Sequence, residues 1–187
     1  MNSARLRFVP WLTLAVWLAT ALTTGAMLVD PSIGTLLQRN ALLIRQGEVW
    51  RMVTTWLVET DGWTQIAVNF AGLAIFGTLV ELLVGRRWWI LGYLVAGLTG
   101  EVAGLFWQPF GGGNSVAICG LIGLFSVWQL RRQQTLGPQR YLGTIVWLSL
   151  GLWLCFRRDI HGPALVAGFL VAALVFARWA VKAESHA

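Results

Sequence analysis

Six apolar runs, parted by short charged or glycine-containing breaks, leave this chain little choice of fold. A run of about 20 apolar residues wound as an α-helix rises ~1.5 Å per residue and crosses the ~30 Å hydrocarbon core of a bilayer. In that medium every backbone N–H and C=O must be satisfied within the protein, which a helix does by itself. The runs place spans at about 8–28, 63–84, 88–107, 115–130, 141–156 and 161–181. Composition agrees: of 187 residues, 57% are hydrophobic and only 12% charged, whereas soluble domains carry about 25% charge. The expectation is an all-α membrane protein, a six-helix bundle forming one domain over residues 1–187.

Two segments need separate reading. Arg5 and Arg7 precede the first run in the manner of a secretory leader, but the run from Phe8 to about Val29 exceeds the 7–15 residues of a leader's apolar core. It reads as a retained span. From Ile33 to Val58 the sequence mixes Leu36-Leu37 and Leu42-Leu43-Ile44 with Arg45, Glu48 and Arg51. That is too charged to span and too apolar for a free loop, so an element lying at the membrane interface is expected.

The formal net charge of +6 reports topology, and no nucleic-acid partner is called for. Nine of the basic residues (Arg5, Arg7, Arg86, Arg87, Arg131, Arg132, Arg140, Arg178 and Lys182) fall on the side that six spans give to both termini, and five (Arg39, Arg45, Arg51, Arg157 and Arg158) on the other. This asymmetry puts both termini in the cytoplasm. Trp63, Trp88, Trp89, Trp107 and Trp128 sit near span ends, where indole rings favour the headgroup layer. Cys119 and Cys155 lie in apolar runs, as small buried hydrophobes do. Glu81 and Glu101 fall near opposite span ends, so no charged relay for a transporter or channel is present.

The fourth run is too short. From Ser115 to Leu130 it covers only about 24 Å as a helix, and it follows a charge-free loop, Pro109-Phe110-Gly111-Gly112-Gly113-Asn114. If Arg131-Arg132 marks one membrane face, Ser115 lies below the other. His161 opens the sixth run from that same outer side, and ionisable residues within a membrane are candidates for function. Ala164, Gly168 and Ala172 follow on one helical face. Small residues let helix backbones approach closely, and Gly120 and Gly123 offer the same on the Ser115 helix. A serine hydroxyl becomes a nucleophile when a base takes its proton, and His161 can be that base. Unpaired N–H groups at the start of the Ser115 helix would stabilise an oxyanion by roughly 3 kcal/mol per donor. Asn69, with Gln65 one turn earlier on the same face, is a further amide at matching depth. Asp159 lies two residues before His161, and such positions do not face each other on a helix, so a Ser115–His161 dyad is expected rather than a triad. His186, in the polar tail, reads as a solvated residue.

These residues resemble the rhomboid intramembrane serine proteases along nearly the whole chain. Gly47-Glu48-Val49-Trp50-Arg51 is similar to the tryptophan-arginine element of that family's first loop. Asn69 and the stretch Phe76-Gly77 to Glu81 match its second span, Gly113-Asn114-Ser115 its G-x-S motif with Gly120 and Gly123 following, and His161 with Gly168 its last span. The resemblance implies a six-helix bundle with an outward-facing, water-filled cavity, Ser115 as nucleophile and His161 as base. It implies an oxyanion and substrate site from the Ser115 N–H, Asn69, Gln65, Gly113 and Asn114. It also implies transmembrane-helix substrates cut near the outer surface of a bacterial inner membrane. No metal or organic cofactor is called for, and oligomeric state is left open. The chain departs from the family at Gln65 (commonly histidine), Val116 (glycine), Cys119 (aromatic) and Ala164 (glycine). Those departures carry the alternative expectation, a catalytically silent relative that binds membrane helices without cutting.

Overall fold

Pro10 and the Asp30-Pro31 pair bound the first long helix of the computed structural model, which describes residues 9–132 and 138–184. Helix α1 runs over Trp11–Val29. A proline pushes the residue before it out of the helical region, and Asp30 is accordingly extended at φ −127°, ψ 98°. Its carboxylate then accepts the Ser32 N–H at 2.9 Å and starts helix α2, Pro31–Leu37. Arg5, Arg7, the start of the first span at Phe8, the loop residues up to Gly137 and His186 lie outside the described residues.

The segment after α1 is a set of short pieces: α2, strand β1 (Arg39–Asn40), α3 (Ala41–Arg45), α4 (Arg51–Thr54) and a single 3-10 turn (Thr55–Leu57). Arg51 ties them together. Its guanidinium donates to the Thr35 and Gln38 carbonyls at 2.8 and 3.0 Å and to Glu48 at 2.7 Å. The carbonyls at the end of α2 lack helical partners, and Arg51 supplies them. The sequence reading counted Arg51 and Arg39 as outer-face charges; both are buried structural residues.

The second span starts as α5 (Gly62–Gly72), passes through a π-helical turn at Leu73–Gly77 and ends as α6 (Thr78–Leu83). At its end Glu81 is buried and accepts the Leu12 and Thr13 N–H groups at 3.1 and 2.9 Å and Arg86 at 3.0 Å. No side chain at Pro10 caps α1; a carboxylate from a different span does it.

Helix α7 (Arg86–Trp107), strand β2 (Phe110–Gly111), α8 (Ser115–Arg132), α9 (Arg140–Phe156) and α10 (His161–Glu184) complete the chain. These helices begin and end within three residues of the apolar runs, the start of the first run at Phe8 lying outside the described residues. Helix α8 is the centre, packed by α7, α9 and α10, and residues 116–124 are buried all round. Close approach is what permits this. A side chain on Gly120 would collide with the Gly92 backbone of α7, and a Cβ on Gly168 would lie 2.8 Å from the Gly120 Cα. The small face of α10 thus meets Gly120 and Gly123 as expected, with Ala164 and Ala172 fully buried. Outward, Leu22, Trp63, Leu142, Phe156 and Leu174 present apolar surface, as lipid-facing helices do. Trp11–Val29, Gly62–Leu83 and Arg86–Trp107 are each long and apolar enough to cross a bilayer, and three shorter apolar helices follow. Among the described residues the protein is all-α apart from one two-residue strand pair, and it is an integral membrane protein.

Candidate active site

The loop before α8 is held from two sides. Arg39 and Asn40 pair antiparallel with Gly111 and Phe110, and the Gly113 N–H donates to the Thr55 carbonyl at 2.9 Å. Thr55 bridges both strands: its hydroxyl accepts the Arg39 N–H at 3.2 Å and donates to the Gly111 carbonyl at 3.1 Å. Gly111 and Gly113 take φ of 146° and 138°, a backbone conformation that favours residues without a Cβ. The chain therefore turns down into the bundle and α8 starts at Ser115.

Ser115 points its hydroxyl at His161, with Oγ 2.7 Å from Nε2. The other ring nitrogen meets a group that the sequence reading set aside. Asp159 Oδ1 lies 2.6 Å from His161 Nδ1 and also accepts the His161 backbone N–H at 2.9 Å. Helical spacing does not govern this pair, because Asp159 is not on the helix. Helix α10 starts at His161, and two residues earlier the chain is still in a turn, where an aspartate can fold back onto the amide two positions on. The hydrogen bond from His161 holds the Asp159 carboxyl down at about 2.

The amides gather around Gly113. A Cβ on that glycine would lie 2.7 Å from Gln65 Nε2, 3.2 Å from Asn69 Nδ2 and 3.0 Å from Glu59 Oε2. Gln65 donates to the Gly112 carbonyl at 2.7 Å and accepts the Asp61 N–H at 2.9 Å. Asn69, buried, donates to Glu59 Oε2 at 2.5 Å. The Asn114 backbone N–H donates to Glu59 Oε1 at 3.3 Å, and its side chain is fully buried. Glu59 is not among the site residues expected from sequence; its mark there is an acidic residue directly after the apolar Trp56-Leu57-Val58. Burial pushes its carboxyl up to about 7, against the pull of the Asn114 and Asn69 hydrogen bonds.

Ser115, His161, Gln65 and Gly113 line one cavity, together with Arg39, Glu101, Gln108 and Val116. Asn69 and Asn114 lie behind that lining. Glu101 is buried and paired to Arg39 at 2.7 Å, with the Trp56 indole N–H 3.3 Å away. Three of the departures fall in this region. Val116 is buried against Gly100 of α7, beside Ala164, and Gln65 keeps an amide donor at the cavity wall.

A family model described as the Rhomboid domain matches residues 46–180. The chain is 33% identical over 137 residues to rhomboid protease GluP of Bacillus subtilis (strain 168), over 70% of this chain and 27% of GluP. It is 26% identical over 139 residues to YdcA of the same strain, over 70% of this chain and 69% of that protein. The match thus spans only about a quarter of GluP. With the matched region covering α4 to α10, and the paired Ser115 and His161 inside it, the chain belongs to the rhomboid family.

Proposed function

We propose that this protein is an intramembrane serine endopeptidase that cuts transmembrane-helix substrates near the outer membrane surface. The observation that carries the reading is the 2.7 Å contact between Ser115 Oγ and His161 Nε2 in a polar cavity between apolar helices. As Oγ bonds the scissile carbonyl carbon, its proton passes to Nε2. As the C–N bond breaks, that proton passes to the leaving nitrogen. Water then enters the cavity and hydrolyses the acyl-enzyme by the same steps. The Ser115 N–H and Gln65 serve the oxyanion from the cavity wall, with Asn69 behind it, each donor worth roughly 3 kcal/mol when aimed at the developing charge. Gly113 and Asn114 shape the adjoining wall. In this reading the chain is a single domain with six spans, set in a bacterial inner membrane with both termini cytoplasmic.

Labelling of the purified protein by a fluorophosphonate probe, and cleavage of a transmembrane reporter, test it. Both are expected in the wild type and lost in Ser115→Ala and His161→Ala at equal expression. Cleavage that persists in Ser115→Ala would sink the proposal. A silent helix-binding relative is the second reading. It is favoured by the Asn69 amide being engaged by Glu59 and the Gln65 amide by the Gly112 carbonyl. It predicts no labelling, and capture of membrane helices that is indifferent to Ser115→Ala.

A further inference from the structure

We infer that Asp159 is a positioning residue for His161, so that the reacting unit is a Ser115–His161–Asp159 chain rather than a pair. The inference rests on the protease reading and deepens it.

Asp159 is placed by the end of α9. The Arg158 N–H donates to the Cys155 carbonyl at 3.0 Å and the Asp159 N–H to the Leu154 carbonyl at 2.9 Å. This is the double bond of a Schellman ending, whose turning residue is left-handed; Arg158 fills that place at φ 56°. The backbone of Asp159 is therefore pinned by α9, while its carbonyl accepts the Gly162 N–H at 3.1 Å at the start of α10. The connection between two helices thus holds one carboxylate oxygen against the histidine ring.

An ionised carboxylate only accepts hydrogen bonds. A 2.6 Å contact at Nδ1 puts the proton on Nδ1 and leaves the Nε2 lone pair facing the Ser115 hydroxyl. That is the tautomer a general base needs. When Nε2 takes the serine proton, the imidazolium forms beside a fixed negative charge, and Asp159 stays ionised throughout. The bland role, capping α10 through the His161 N–H, is filled by the same oxygen, and this allows the two to be separated. In Asp159→Asn the backbone N–H still demands an acceptor, so the amide oxygen keeps that place and the Nδ1–H tautomer survives without the charge. In Asp159→Ala both orientation and charge go.

The test uses the full-length protein in detergent. His161 and His186 are the two histidines of the chain, so ¹⁵N-histidine spectra of His186→Gln report His161 alone. The expected signature is a protonated Nδ1 with a downfield proton and an unprotonated Nε2; a dominant Nε2–H form overturns the inference without any change at Asp159. In fluorophosphonate labelling, the inactivation rate constant of Asp159→Ala should fall roughly 10²-fold with probe affinity unchanged, less than the ~10⁴ known for a fully buried triad aspartate. Asp159→Asn, which gives up only the charge of the acceptor, should lose less, about 10-fold. A folded Asp159→Ala that labels Ser115 within about 3-fold of wild type overturns the inference and leaves the protease reading standing. A wild type that never labels overturns both.

Discussion

Val116 occupies the space that Gly100 leaves: a Cβ built on Gly100 would lie 2.8 Å from the Val116 Cβ and 3.3 Å from that of Ala164. Two departures from the family's glycines, on α8 and α10, are thereby absorbed by one glycine on α7. Overpacking such a contact costs about 1–3 kcal/mol. Gly100→Ala should lower stability by that amount in unfolding measurements in detergent. In the Val116→Gly background the same change should be nearly free, a coupling of about 1–2 kcal/mol. Additive effects would show that the three residues do not share the space.

Glu59 makes stability depend on pH in a defined direction. Its folded carboxyl is raised from 4.5 to about 7 by burial. A raised value means stabilisation that is complete below about 4.5 and lost as pH climbs through about 7. The loss is on the order of 3 kcal/mol. Thermal unfolding between pH 4.5 and 8 should show this decline in the wild type and a flatter profile in Glu59→Gln. Asp159 works in the opposite sense, adding stability above about 4 that is lost as pH falls through about 2, so it does not contribute within that window.

Arg158 carries backbone strain at φ 56°. The left-handed conformation costs a side-chain-bearing residue about 1–2 kcal/mol, and glycine loses about 0.5–1 kcal/mol of that advantage to chain entropy. Arg158→Gly should therefore stabilise by roughly 0.5–1 kcal/mol, and Arg158→Val should destabilise. Because Asp159 keeps its place in both backbones, labelling rates of the glycine variant should match wild type.

Glu81 serves α1 from another span. Glu81→Ala leaves the Leu12 and Thr13 amides and the Arg86 guanidinium without the carboxylate, a loss of about 3 kcal/mol. Glu81→Gln retains an acceptor oxygen and should lose about 1 kcal/mol. Hydrogen exchange at the start of α1 should rise more in the alanine variant; equal protection would show that the cap does not hold that end.

Hydropathy located the long apolar helices because lipid gives the backbone no alternative to a helix, and the pairing of Ser115 with His161 followed from their common depth and the small residues between their helices. What escaped were features that arise where helices stop. Asp159 was judged by helical spacing although it precedes the helix. Arg39 and Arg51 were counted as outer-face charges and Glu59 was passed over, because nothing in their immediate neighbours tells that each is enclosed by partners 10 to 62 residues away. The π-helical turn at Leu73–Gly77 has no mark in composition, and Gly100 carries no sign of its link to Val116. Long-range complementarity needs the folded contact before it can be seen.

Ser115 and His161 stand 46 residues apart, and that separation acts as a timer. A ribosome adding about 5–20 residues per second makes the nucleophile roughly 2–9 s before the last helix brings its base. During that interval the serine is an ordinary alcohol. Under the protease reading, the helices already made beside it can settle uncut, and competence to attack waits for His161.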